Sequence, residues 1–105
     1  MSLPAEFEAL AGALDRLLAL LEEAEEGFWL PYLRRGLRDV QANKLAGATS
    51  VLGCFGGQDT LSDLQIGEAF REQDPLRYRN LNARLAQLRT EVFDCADQIT
   101  SRRSW

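Results

Sequence analysis

Apolar positions in the first part of the chain recur at Leu3, Phe7, Leu10, Leu14, Leu17, Leu18 and Leu21. Three-four spacing sustained over several turns puts them on one broad face of an α-helix. Ser2 suits an N-cap, and Pro4 is tolerated in a first turn, where its missing N–H costs nothing, so the helix is predicted to begin near Ser2. Ala9, Ala11, Ala13 and Ala19 add helix propensity and permit close packing. Glu22, Glu23, Glu25 and Glu26 follow, and Gly27 is the expected stop. Acids at that end oppose the helix dipole, which prefers cations there. Such a cluster is either a solvated helix end or a surface kept for a partner.

A second helix is predicted over 28–42, because Pro31 fits only in a first turn. Leu30, Leu33, Leu37 and Val40 form its inner face, while Arg34, Arg35 and Arg38 point outward. Arg35 stands four residues before Asp39, a weak supporting pair. Phe28, Trp29 and Tyr32 cluster at its start. Trp29 and Tyr32 are amphipathic rings that either cover the end of the core or anchor a partner. A shorter helix is predicted from Asn43 or Lys44 to Phe55, with Ala48, Val51, Leu52 and Phe55 inward. Gly47 and Gly53 weaken it intrinsically, so packing must hold it.

No long period continues through 57–74. Leu61, Leu64, Ile66 and Phe70 should nevertheless dock on the core, with one or two short helical turns started by Asp59 or Thr60. Asp74 as N-cap and Pro75 after it then open the last helix. Its apolar residues Tyr78, Leu81, Leu85, Leu88, Val92, Cys95 and Ile99 alternate on a seven-residue period, a coiled-coil-like seam to about Ser101. At 1.5 Å per residue that helix is roughly 40 Å long. The predicted fold is all-α: one domain over 1–105, a four-helix bundle-like arrangement with a docked loop or short turns between the third and fourth helices.

Composition agrees with this reading. Leucine dominates the apolar 46% of the chain and β-branched residues are scarce, which favours helix over sheet. A net charge of -4 argues against nucleic-acid binding and suits attraction to a basic partner. No secretory signal and no stretch of membrane-spanning length is visible, so the expectation is a cytoplasmic protein with no membrane partner.

The chain has no histidine, and Cys54 and Cys95 belong to no C-x-x-C pair. Ser–His and Cys–His nucleophilic systems within one chain are therefore excluded, and a zinc site lacks ligands. The cysteines are buried free thiols or a disulfide. Asp59 and Asp63 lack the oxygen ligands that a calcium loop needs, and they would repel an anion from the backbone of Gly56 and Gly57. Asp59, Thr60, Ser62 and Asp63 read more simply as side chains satisfying backbone donors near a helix end. No metal or cofactor is expected.

The segment Leu52-Gly53-Cys54-Phe55-Gly56-Gly57-Gln58-Asp59-Thr60-Leu61-Ser62-Asp63-Leu64 resembles the central motif of a family of small bacterial proteins of unknown function, L-G-x-F-G-G-M-G-S-[LF]-N-D-L. Glu22 to Leu33, an amphipathic start with a tryptophan after acids, is also similar to the family's upstream helix. The resemblance spans Leu17 to Ile66 and departs at Gln58, Asp59, Thr60 and Ser62. It implies a bacterial origin and a shared fold, and it makes Phe55, Gly56, Gly57, Asp59, Thr60, Leu61, Asp63 and Leu64 the motif residues. Some small proteins of this kind accompany polymorphic toxins, which points to immunity.

Three functions compete at this stage. The first is a non-enzymatic interaction protein, in its narrow form an immunity-type inhibitor of a toxin, working through Glu22, Glu23, Glu25, Glu26, Phe28, Trp29 and Tyr32 as aromatic anchors within an acidic rim. The second is a regulatory or structural homodimer, joined by a last-helix seam wider than one chain covers. The third is a small-ligand binder or enzyme with a pocket beside Gly56 and Gly57.

Overall fold

Two long leucine-rich helices form the scaffold, α1 (Leu3–Glu23) and α4 (Pro75–Arg103). They lie antiparallel. Glu23 at the end of α1 pairs with Arg84 early in α4, and Arg16 pairs with Glu91 two turns further along. Between them in sequence come α2 (Leu30–Gln41) and α3 (Leu45–Leu52). The main contacts make a ring: α1 packs on α2 and α4, and α3 packs on α2 and α4. The fold is thus an all-α four-helix bundle, 48 Å along its greatest extent and 23 × 22 Å across. This computed structural model describes residues 3–56 and 60–103. Ser2, Gly57, Gln58, Asp59 and Trp105 lie outside the described residues, and with them the proposed first N-cap and part of the central motif.

The core follows the two periodic faces. α1 buries Phe7, Leu10, Leu14, Leu17, Leu18 and Leu21, and also Ala13 and Leu20. Its face is wider than a single seam because it packs against two neighbours. On α4, Leu81, Leu85, Val92, Ala96 and Ile99 are buried, and Tyr78, Leu88 and Cys95 are half-buried. Of the seven seam residues, Leu81, Leu85, Val92 and Ile99 are covered by helices of the same chain, and Tyr78, Leu88 and Cys95 keep part of their surface. One acid joins the buried face of α1: Glu6.

The helix ends show where local chemistry overrules a simple stop signal. Gly27 does not end α1. Glu25 takes the left-handed conformation instead (φ 59). The Glu26 N–H reaches back to the Leu21 carbonyl at 2.8 Å, and the Glu25 N–H to that of Glu22 at 3.1 Å. This is a Schellman closure with a glutamate in the position that glycine usually takes. α2 ends the same way through Asn43 (φ 58), whose neighbour Lys44 donates to the Asp39 carbonyl at 2.9 Å. α2 starts at Leu30, two residues later than the aromatic cluster suggests. α3 is shorter than predicted at both ends, and Cys54 and Phe55 continue only as tight i→i+3 turns. At the start of α4 the expectation holds: the Arg77 N–H donates to Asp74 Oδ1 at 3.2 Å.

Residues 60–74 dock as predicted, through two single-turn 3-10 helices, Leu61–Asp63 and Glu68–Phe70. Leu61 and Ile66 enter the core. Two side chains seven residues apart on α4 hold this segment. Asn82 accepts from the Ile66 N–H at 2.8 Å and donates to the Ile66 carbonyl at 2.9 Å. Arg89 donates to the carbonyls of Leu61 and Leu64 at 3.2 and 3.1 Å. Gly67 sits at φ 72, and a Cβ there would lie 2.7 Å from Leu81 Cδ1. Asn82→Ala leaves both Ile66 backbone groups without their partner, a loss of about 1–3 kcal/mol. The expected result is a lower denaturation midpoint with faster amide exchange at Ile66. Unchanged exchange there would mean that the segment is held by burial alone.

Candidate functional site

The connection from α1 to α2 carries three aromatic rings within five residues. The left-handed turn at Glu25 redirects the chain and brings Phe28 and Trp29 to the start of α2, where Tyr32 follows one turn later. The ring centroids of Phe28 and Trp29 are 5.2 Å apart and nearly perpendicular, and those of Trp29 and Tyr32 are 5.8 Å apart. Phe28 and Tyr32 stand 5.7 Å apart. These spacings suit mutually supporting aromatic contacts. Trp29 is half-buried and packs against the core. Phe28 and Tyr32 remain 63% and 51% exposed. The two readings of the cluster are thus divided between residues: Trp29 covers the core, and Phe28 and Tyr32 project from it.

Beside the rings lies a groove of about 500 Å³. Its other wall and floor come from Arg35 and Gly36 of α2 and from Ser50, Gly53 and Cys54 at the end of α3. The groove exists because α2 and α3 approach closely. A Cβ on Gly47 would lie 2.7 Å from the Val40 backbone nitrogen, and one on Gly36 would lie 2.9 Å from Val51 Cγ2. Cys54 Sγ donates to the Ser50 carbonyl at 3.6 Å. Burial pushes its thiol pKa up. Burial also raises that of Cys95, with help from the carboxylates of Glu91 and Asp94. Both are free thiols. A raised pKa keeps them protonated at neutral pH, where a thiol is a poor nucleophile.

The acidic rim is rearranged. Glu22 pairs with Arg34 of α2 at 3.4 Å, while Glu23 takes a two-pronged grip from Arg84 of α4 at 3.0 and 3.2 Å. Neighbouring helices thus supply the cations that the end of α1 calls for. The hydrogen bond from Arg84 lowers the Glu23 pKa. Such a pair supports the fold at neutral pH, and its support fades as acid protonates Glu23. Glu25 is exposed and Glu26 half-buried. Glu22 and Glu23 thus face different helices, and among the described lining residues the charge on the groove is Arg35. The expected Arg35–Asp39 pair does not form within ion-pair distance. Sequence pattern gave no sign of the Gly36, Ser50, Gly53 and Cys54 floor, whose only trace is the scatter of small residues in two amphipathic helices.

The described residues of the central motif close α3 and seat the following turn. Gly56 adopts φ 129, and its N–H donates to Ser62 Oγ at 3.3 Å. The Leu61 N–H returns to the Cys54 carbonyl at 2.9 Å, burying Leu61, and Leu64 is half-buried. Thr60 is extended and accepts from the Asp63 N–H at 3.0 Å. Next to Gly56 lies an open hollow of about 290 Å³ bounded by Phe55, Ser62, Arg89, Thr90 and Phe93. Its Ser62 and Arg89 are already bonded to backbone. Among the described residues no three Cys, Asp or Glu side chains gather as a metal site, and no helix is long and apolar enough to cross a membrane.

No protein-family model matches this chain, and searches of curated proteins and of solved structures returned no match. The resemblance of the central segment rests on its motif alone.

Proposed function

We propose that this protein is a non-enzymatic interaction module that holds another protein through Phe28, Tyr32 and the groove beside them. The observation that carries this reading is a pair of large rings more than half exposed, braced by a tryptophan that is itself fixed to the core. Rigid aromatic groups of this kind lose little entropy when covered, and they commonly dominate the energetics of interfaces. The narrow form of the reading, inhibition of a toxin, is supported only by the motif resemblance. A helix-mediated dimer has less to draw on, because Leu81, Leu85, Val92 and Ile99 of the α4 seam are buried within one chain.

The test is co-purification from native cells with the Phe28→Ser, Tyr32→Ser double variant. Wild type should retain a stoichiometric protein that the double variant releases, with affinity lower by about thirtyfold or more, since interface hot spots are worth about 2 kcal/mol or more. The double variant also gives up the ring contacts to Trp29, worth about 0.5–1.5 kcal/mol each, so binding is compared at a temperature well below the melting point of both forms. A partner bound equally by both forms would show that the contact lies elsewhere.

A further inference from the structure

Resting on that reading of the aromatic surface, we infer that the groove takes an acidic peptide segment of a partner protein, with an apolar side chain seated in the groove and a neighbouring carboxylate on Arg35. The chain as a whole carries -4, which at first suggests a basic partner. The local charge is opposite. Arg35 is the charged residue of the groove lining, and Arg38 follows it, exposed, on the same helix. Among the described residues neither has an acid within ion-pair distance, whereas Arg34 between Tyr32 and Arg38 is already taken by Glu22.

The chemistry of a covered guanidinium decides the sign. A partner that seats itself over Phe28 and Tyr32 removes water from Arg35 as well. Burying a charge without a counter-charge is strongly unfavourable, so a neutral or basic partner is penalised there. A carboxylate matches the planar fork of donors and can accept two parallel hydrogen bonds. The floor asks for something different. Gly36 and Gly53 offer no side chain, Cys54 a protonated thiol, and Phe28, Trp29 and Tyr32 their rings, with the Ser50 hydroxyl a polar group beside Arg35, so the space suits an aliphatic or aromatic group. The acidic remainder of the surface repels acidic chains that lack this anchor, which sharpens selection.

The probe is a displayed library of random twelve-residue peptides, panned on the full chain, on Arg35→Glu, on Arg35→Lys and on the Phe28→Ser, Tyr32→Ser double variant, at a temperature well below the melting point of each. Wild type should enrich sequences that place Asp or Glu within four residues of a large apolar residue. The best synthetic peptide should bind Arg35→Glu at least tenfold more weakly, with Arg35→Lys between. Enriched peptides that are neutral or basic, or equal binding by Arg35→Glu, overturn the acidic-segment inference. If the double variant still loses those peptides, the aromatic contact survives that failure. Undiminished binding by the double variant overturns both, and so does a library that yields no enriched sequence on wild type while the double variant keeps its native partner. Phosphatidylglycerol vesicles are the competing acidic surface: co-sedimentation of wild type but not of Arg35→Glu overturns a peptide in favour of a membrane.

Discussion

Gly47→Val should destabilise this protein by about 2–3 kcal/mol, despite replacing glycine within a helix. Away from contacts, removing a helical glycine gains up to about 1 kcal/mol. At Gly47 the added carbon meets the Val40 backbone nitrogen at 2.7 Å and Asp39 Cβ at 2.9 Å. These atoms belong to the facing helix and cannot swing aside as the tip of a long side chain can. α2 and α3 must move apart, and overpacking of this kind costs about 1–3 kcal/mol before the two further methyl groups of valine are counted. For a domain of this size the midpoint of thermal unfolding should fall by roughly 10–20 °C. Gly12→Ala is the matched control. Its added carbon would meet only Arg16 Nη1 at 3.8 Å, so it should raise the midpoint slightly. If both variants melt at or above wild type, the close approach of α2 and α3 is wrong.

Leu17→Ala should cost about 3–4 kcal/mol, a large fraction of the roughly 5–15 kcal/mol that holds a domain together. Leu17 is fully buried in the middle of α1. Truncation removes the transfer energy of the lost carbons and leaves a space that the surrounding leucines cannot fill without distortion. Leu76→Ala, the same chemical change at a residue 70% exposed in the first turn of α4, should be nearly silent. Urea denaturation of the two proteins measures the difference directly. A similar small loss for both would mean that the α1 face is not the centre of the core.

Much of this fold was legible because its long helices are amphipathic. Leu85, Val92 and Ile99 keep one seven-residue beat and Leu81, Leu88 and Cys95 another, and Asp74 and Pro75 mark a start whose physics is local. The end of α1 was misread for an equally physical reason. Gly27 is the better left-handed residue in isolation, but the stop is set by where the apolar face runs out. After Leu21 and Ala24 the next apolar groups, Trp29 and Leu30, reach the core only by way of a turn, and Glu25 takes the left-handed angle that makes it. Asn82 and Arg89 were invisible because their partners are backbone groups in a segment without any period. Two polar residues a heptad apart on the edge of a greasy seam are the trace they leave.

Of the candidate site, the aromatic residues were found and their surroundings were not. Phe28, Trp29 and Tyr32 announce themselves by size, whereas a groove made by Gly36, Gly53 and Cys54 depends on how two helices meet. The acids preceding the rings suggested a negative rim. Arg34 and Arg84 answer two of them from other helices, which no spacing along the chain could disclose.

Neither α2 nor α3 has a side-chain cap at its start, and both are short beside their partners. Their pairing relies on two glycines, Gly36 lying against the Val51 side chain and Gly47 against Val40 and Asp39. The two halves of the bundle therefore differ in how readily they loosen, the long pair acting as a stiff spine and the short pair as a clasp. A visitor to the groove touches both arms of that clasp at once, so occupancy and local rigidity rise together.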